Sequence, residues 1–389
     1  MRVTHIITRL VIGGAQENTV ATVLGLRQKP GVAVRLISGP TTGPEGSLES
    51  VFANTPEILT VVPELVRPVR PLKDFLALRR LEKILGEQKP HIVHTHSGKA
   101  GILGRLAAKR AGVPVIIHHI HGPSFGAFQN RMSNFIFCAA EKYAAHVTDR
   151  FICSAQAMTR IYLAAGIGKP EMFTRIFSGF QLKPFLEAKN DIAFRKRLGI
   201  PADAFVIGKI ARLFKLKGHD DLLSAFQTLL PQCPNARLLL VGDGSLRPHL
   251  ENHARKAGVA EKVIFAGLVP PNEVPRHVGI MDCLAHLSSR EALSRALPQA
   301  LAAGKPVVAY DFDGADEICL NGETGFLVRT GDTAMVAKRL LELANDSALR
   351  ERLGRAGPDF VREHFAVEQM VDTIYNLYLK LAAGRGLRL

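Results

Sequence analysis

Short apolar, β-branched runs alternate along this chain with longer amphipathic runs, and glycine or proline stands at most of the joins. Residues 3–8 form the first short run. Gly13-Gly14 follows it, then an amphipathic stretch over 15–27. The same reading predicts strands at 32–38, 90–95, 114–118 and 151–154, and helices at 71–87, 99–111 and 130–145. In the helix over 71–87, Leu72, Phe75, Leu76, Leu81 and Leu85 fall roughly on one face. The pattern breaks over 176–189, around Gly179 and Pro184, and a second series then begins. Its predicted strands are 206–211, 237–241, 263–265, 284–287 and 306–310. Its helices are 220–230, one that carries Gln299 and ends at Gly304, and further helices from Asp332 onward.

Strands alternating with helices imply parallel sheets covered by helices. Two such series in 389 residues imply an α/β protein of two Rossmann-like doubly wound domains with parallel sheets facing across a cleft. The expected divisions are 1–183, 184–366 and a final amphipathic segment, 367–389. That segment packs on its own domain or crosses back to the first; its periodicity allows both.

Composition narrows the function. Tryptophan is absent and aromatics are few, against modules that stack sugars on exposed rings. The five cysteines (Cys138, Cys153, Cys233, Cys283, Cys319) are scattered, odd in number and never in a CxxC, as expected of reduced thiols in a cytoplasmic protein. The N-terminal apolar run is too short and too polar for a secretory signal, and no run is long enough to span a bilayer. Of the net charge of +15, residues 1–183 carry +12, from 23 Lys/Arg against 11 Asp/Glu. An anionic membrane surface or an acidic small molecule fits this imbalance. Nucleic acid fits poorly, because no aromatic-interleaved basic run, zinc finger or helix-turn-helix pattern accompanies it.

Candidate chemistry gathers where strands end. Arg212 stands just past the strand over 206–211, and Lys217 five residues on, at the entry to a helix. Two cations beside a helix N-terminus suit a diphosphate and can neutralise a departing one without a metal ion. Glu291 follows the strand over 284–287. The backbone N–H groups of Ala292, Leu293 and Ser294 come next, and Gln299 eight residues after the glutamate; these groups can hold sugar hydroxyls and a phosphate together. Gly13-Gly14 lets backbone approach a ligand, but it is not a dinucleotide fingerprint. His94 and His96 share one face of a strand, and His118, His119 and His121 crowd the end of the next. With no carboxylate or cysteine at ligand spacing, they read as hydrogen-bonding histidines at a cleft edge. His121, beside Gly122, is the best placed to touch a ligand. Asp311 and Asp313 resemble a DxD metal motif and are expected instead to make a turn and cap a helix, so no metal site is predicted.

Taken together, Gly13-Gly14-Ala15, residues 90–96, Cys153-Ser154, Ser178-Gly179-Phe180 with Phe185, Arg212 through Lys217-Gly218, residues 241–245, Phe265-Ala266-Gly267 and residues 288–328 resemble the retaining glycosyltransferases of family 4, of GT-B fold. The resemblance covers nearly the whole chain, and its specific parts are the Arg-x4-Lys-Gly run and the block after Ser288. It implies a nucleotide-sugar donor, with Arg212 and Lys217 on the diphosphate and the Gly13-Gly14 loop approaching it. It implies Glu291 and the N–H groups after it on the transferred sugar, His121 near that sugar, and Gln299 facing the ribose. It implies catalysis without metal or other cofactor, a front-face attack through an oxocarbenium-like transition state, and a final helix that crosses back to the N-terminal domain.

The implied acceptor is a glycan or a lipid-linked glycan of the cell envelope, met in the cytoplasm or on the inner face of the plasma membrane. The pattern departs at Gln299, where the family has a second Glu; a neutral amide holds a ribose hydroxyl more weakly by about 1 kcal/mol. It departs also at Ser178, where Asn is common. A nucleotide-sugar epimerase on the same fold ranks lower, since Glu291 is the only carboxylate placed for proton work. A catalytically weakened sugar-nucleotide or membrane-binding protein is the other alternative.

Overall fold

The computed structural model describes residues 1–42, 46–126 and 128–387. The chain divides into two compact units, Met1–Phe180 with Val367–Leu389, and Gln181–Ala366. In the first, strands β1 (Arg2–Ile7), β2 (Ala33–Ser38), β3 (Leu59–Val61), β4 (Ile92–His96), β5 (Val115–Ile120), β6 (Arg150–Cys153) and β7 (Phe173–Arg175) form one parallel sheet in the order β3-β2-β1-β4-β5-β6-β7. In the second, β8 (Val206–Ile210), β9 (Arg237–Val241), β10 (Val263–Gly267), β11 (Cys283–His286), β12 (Val307–Tyr310) and β13 (Gly325–Val328) form another, in the order β10-β9-β8-β11-β12-β13. Of these, β3, β7 and β13 are not among the predicted strands; β3 and β7 are three residues long, too short for a periodicity to reveal.

Each sheet starts in its middle. β1 lies between β2 and β4, and β8 between β9 and β11. The chain therefore leaves these strands in opposite directions, and the loops beyond their carboxyl ends part. In open α/β sheets ligands settle at that switch point.

The helices of the first unit are α1 (Gly14–Arg27), α2 (Pro71–Gln88), α3 (Gly98–Arg110), α4 (Arg131–Ala145) and α5 (Gln156–Ala164). The second has α6 (Lys183–Leu186), α7 (Ile192–Arg197), α8 (His219–Leu229), α9 (Arg247–Lys256), α10 (Val274–Gly279), α11 (Ala296–Ala302), α12 (Thr333–Asn345) and α13 (Ser347–His364). The last, α14 (Val367–Gly384), packs along α1 in the first unit. Met370, Val371, Ile374 and Tyr378 are buried there with Val23 and Leu26. Gly25 permits the approach, since a Cβ on it would stand 2.5 Å from Val371 Cγ2.

Three sequence expectations change. The segment 176–189 contains α6, which packs on α10 and α11, so the division falls after Phe180 rather than after residue 183. Asp311 and Asp313 cap no helix: the short 3-10 turn Ala315–Glu317 starts from Gly314 with no side-chain cap. In α2, Leu72, Phe75 and Leu76 do not share a face with Leu81 and Leu85. Ala77, Leu78, Leu81 and Leu85 are buried, whereas Leu72, Phe75 and Leu76 are exposed, Leu72 by 73%. At 100° per residue, positions 72, 75 and 76 stand opposite 78, 81 and 85, so α2 has a second apolar face. α4 has one too, with Met132, Phe135 and Ile136 exposed.

α3 and α4 are joined by a buried ion pair. Arg105 Nη2 donates to Glu141 Oε2 at 2.6 Å with both side chains fully buried; Arg105 also donates to the Gly101 carbonyl and to Thr148, and Ser124 donates to the other Glu141 oxygen. Removing one partner leaves an uncompensated charge, which costs about 3–5 kcal/mol. Glu141→Ala is expected to lower the melting temperature of the first unit by several degrees, measured by differential scanning calorimetry. The double variant Arg105→Met/Glu141→Leu should recover most of the loss, and an unchanged single variant would contradict this account.

Candidate active site

Beyond β8 the chain turns through residues 211–218 into α8. Two close approaches hold this loop. A Cβ on Gly242, at the end of β9, would stand 2.2 Å from the Ala211 carbonyl oxygen, and Leu213 N–H donates to Asp243 O at 3.0 Å. At the other end of the loop, Gly218 has φ +67° and presses on the end of β11: a Cβ there would lie 1.8 Å from the Leu287 carbonyl oxygen. Ser289 N–H donates to the Leu216 carbonyl at 2.9 Å, and Ser288 Oγ lies 3.1 Å from the same oxygen. The loops after β8 and β11 are thus sewn together at the switch point.

This stitching brings Lys217 to Glu291. Lys217 Nζ is ion-paired with Glu291 Oε1 and also donates to the Arg290 carbonyl at 3.2 Å. Asp313 positions the pair from the far side. Its backbone is left-handed, with φ +51°, and its Oδ2 accepts the Glu291 N–H at 2.8 Å. Burial, opposed by that hydrogen bond, holds the Asp313 carboxyl above its ordinary range.

Ala292, Leu293 and Ser294 follow as an irregular turn. Their N–H groups precede α11, which begins at Ala296. None of the three is accepted by another described residue. Glu291, Ala292 and Ser294, with His286, Ser288, Leu297, Phe312, Gly314 and Ala315, line one recess. A carboxylate, a lysine and open N–H donors around a recess can bind hydroxyls and an anion together. Arg212 is exposed in the same loop as Lys217, its guanidinium 5.1 Å from the centre of the Phe214 ring. Gln299 is half-buried on α11.

The remaining predicted residues lie in the first unit. Gly13 is extended at the start of α1, Glu17 N–H donates to its carbonyl, and Gly14 opens the helix. His121 follows β5 and joins a layer of imidazoles. His96 Nδ1 and His121 Nε2 are 3.0 Å apart, and the His119 and His121 rings stack with centroids 4.0 Å apart. His5 and His94 are register partners on β1 and β4, as are His96 and His119 on β4 and β5. Burial lowers all of these side chains below the ordinary 6.5, His5 and His121 to about 3, so they are neutral. His118 stands apart, hydrogen-bonded to Thr95 Oγ1 at 2.9 Å, with its ring edge over Phe151.

Sequence reasoning missed Asp313 as the partner of the Glu291 N–H, and it missed Lys209. Lys209 is buried in the middle of β8, its Nζ has no hydrogen-bond partner among the described residues, and burial with Lys217 nearby lowers it from 10.5 to about 7. His219 and His286, in electrostatic reach of it, also carry buried nitrogens without partners. The available signal was a charge inside an otherwise apolar run in a sheet covered on both faces.

A base whose folded pKa lies below its unfolded one destabilises the fold in full below the folded pKa, and not at all above the unfolded one. Lys209→Met is therefore expected to melt above the native chain near pH 6, with the gap closing toward about pH 10. A gap independent of pH would contradict the burial of an unpartnered ammonium.

Comparison with known proteins bears on this arrangement. Residues 13–174 match the glycosyl transferase 4-like domain, and residues 190–360 match glycosyl transferases group 1. An Escherichia coli protein named UDP-Gal:alpha-D-GlcNAc-diphosphoundecaprenol alpha-1,3-galactosyltransferase is 27% identical over 83% of this chain and 84% of its own length. The capsular polysaccharide biosynthesis glycosyltransferase CapM of Staphylococcus aureus is 25% identical over 85% and 87%. Among solved structures, Anabaena HepE in complex with UDP-glucose superimposes with a TM-score of 0.82 at 21% identity, over 98% of this chain and 100% of that one. Two parallel Rossmann-like sheets, a site at the switch point of the second and two adjoining family matches lead to one conclusion: the chain is a glycosyltransferase of GT-B fold and belongs to the group 1 family.

Proposed function

We propose that the protein transfers a hexose or N-acetylhexosamine from a nucleotide-diphosphate sugar to a glycan or lipid-linked acceptor, in the assembly of a cell-envelope polysaccharide. Transfer retains the anomeric configuration and uses no metal ion. The observation that carries this reading is the Lys217–Glu291 pair at a recess lined by Glu291, Ala292 and Ser294, with the N–H groups of residues 292–294 accepted by no described residue. The names of the Escherichia coli and Staphylococcus aureus relatives support the acceptor class, and the UDP-glucose complex of HepE supports the donor class.

In this mechanism the donor diphosphate takes Lys217 Nζ from Glu291 and lies against Arg212. The two cations neutralise the leaving phosphate, the role a metal ion would otherwise fill. Glu291, released, accepts hydroxyls of the transferred sugar, and the N–H groups of Ala292, Leu293 and Ser294 donate to its remaining oxygens. The bond from the anomeric carbon to the phosphate oxygen breaks while the acceptor hydroxyl bonds to that carbon from the same face. The acceptor proton passes to the departing phosphate oxygen. Gln299 holds the ribose. The assignments of His121 to the sugar and of Gly13-Gly14 to the diphosphate rest on the family resemblance.

The lipid side of the proposal draws on α2 and α4. Both pack on α3, and both begin beyond the carboxyl ends of strands of the first sheet. Their exposed residues Leu72, Phe75, Met132 and Phe135 stand among Arg67, Arg70, Lys73 and Arg131. Apolar side chains among basic ones suit the interface of an anionic membrane. No helix among the described residues is long and apolar enough to cross a membrane.

Lys217→Ala is expected to lower turnover at least about a hundredfold with the melting temperature unchanged, once a thermal-shift screen of UDP-, GDP- and ADP-sugars has identified the donor. Full activity in this variant would sink the assignment. Turnover should survive EDTA; strict dependence on Mg²⁺ would instead bring Asp311 and Asp313 into the mechanism as ligands. In flotation assays the protein should prefer vesicles containing phosphatidylglycerol over neutral ones, and Phe75→Glu/Phe135→Glu should lose that preference. Equal flotation on both vesicle types would remove the membrane from the proposal.

A further inference from the structure

The histidine layer of the first unit has features that core packing does not require. One ring nitrogen from each of His96, His119 and His121 lies within 4.8 Å of the other two. We propose that these three imidazoles, all carried on the first unit, form a binding site for a divalent transition-metal ion such as Zn²⁺ or Cu²⁺.

His119 gives the strongest reason. It is fully buried, and neither of its ring nitrogens has a hydrogen-bond partner among the described residues. A buried imidazole left so is costly unless something occupies a lone pair. The spacing is also close to that required. Metal–nitrogen bonds of about 2.0–2.1 Å in a tetrahedral site put the nitrogens about 3.3 Å apart. His96 Nδ1 and His121 Nε2 already stand 3.0 Å apart, and a nitrogen of His119 lies within 4.8 Å of both ligand atoms.

The groups behind the site fix its tautomer. With the ion on His96 Nδ1, the proton of that ring sits on Nε2 and is donated to His5 Nδ1 at 2.9 Å. His5 Nε2–H then faces Tyr378 Oη at 3.4 Å, and the Tyr378 hydroxyl donates to His94 Nδ1 at 2.5 Å. The donors of His96, His5 and Tyr378 each have an acceptor, the arrangement that orients metal-binding imidazoles elsewhere, and the chain ends at His94, whose Nε2 has no partner among the described residues. His121 is partly exposed, next to Gly122, and supplies both an entry path and room for a fourth ligand from solvent. The sequence reading set metal aside for want of a carboxylate or cysteine, yet three imidazoles alone are a sufficient protein ligand set. An ion held here would occupy the Nε2 lone pair of His121.

A second cluster complicates the measurement. Asp220, His249 and His253 meet on α8 and α9, where both imidazoles already bond to the Asp220 carboxylate. The test therefore uses the untagged full-length chain with His249→Ala, stripped with a chelator and titrated with Co²⁺ and then Zn²⁺. Calorimetry should give one ion per chain, and Co²⁺ should show the visible bands of four-coordinate geometry. His119→Gln should weaken binding at least about tenfold. Absence of binding at micromolar ion, or unchanged affinity in His119→Gln, would overturn the proposal. Should His119→Gln fail to fold, electron paramagnetic resonance of the Cu²⁺-loaded His249→Ala chain reads the ligands directly. Three nitrogen donors are expected there, and fewer would overturn the site.

Discussion

Lys217 and Glu291 are 74 residues apart in sequence and share an ion pair because the second sheet runs β9-β8-β11 rather than in chain order. The constraint beneath the pair is steric. Gly218 presses against the Leu287 carbonyl so closely that no side chain fits between them. That contact fixes the distance between the two loops, hence between the lysine and the carboxylate. Asp313 then accepts the Glu291 N–H, and the N–H groups of residues 292–294, which precede α11, have no acceptor among the described residues. Strand order places the loops, glycine lets them touch, and the touching assembles the charges.

Charge is handled differently in the two units. The second pairs many of its charged groups on loops and helix surfaces and buries two cations, Arg195, which is bonded to Asp282 and to backbone carbonyls, and Lys209, which has no partner among the described residues. The first gathers five imidazoles in one layer, four of them buried and His121 partly exposed, and among its described lysines and arginines buries only Arg105, paired with Glu141. The exposed apolar faces of α2 and α4 sit in that basic surface. The exposed apolar faces and the histidine layer belong to different packed groups: Tyr378 of α14 covers the histidines, while α2, α3 and α4 pack together.

Much of this was legible in the sequence. Alternating short and long apolar periods gave two parallel sheets, since strands buried on both faces read as continuous apolar runs. Arg212, Lys217 and Glu291 stood out as charges at strand ends. What stayed hidden depended on three-dimensional neighbours. The Lys217–Glu291 pairing needs the strand order, and the role of Asp313 needs a left-handed turn that leaves no periodic trace. The second apolar face of α2 was folded into one stripe because Leu72, Phe75 and Leu76 share the composition of the buried residues, and only their 100° positions separate them. The start of α11 at Ala296 was not legible either, since residues 292–297 contain no breaker before Pro298.

The claim on which the account turns is that the donor binds between the loops after β8 and β11. Hydrogen–deuterium exchange with and without a saturating nucleotide-sugar tests it most directly, because it reports backbone amides one segment at a time. The account predicts new protection in two peptides, one spanning residues 213–219 and one spanning 291–297, with the N–H groups of residues 292–294 slowed most. Protection confined to other segments, with these two unchanged under a ligand shown to bind, would contradict it.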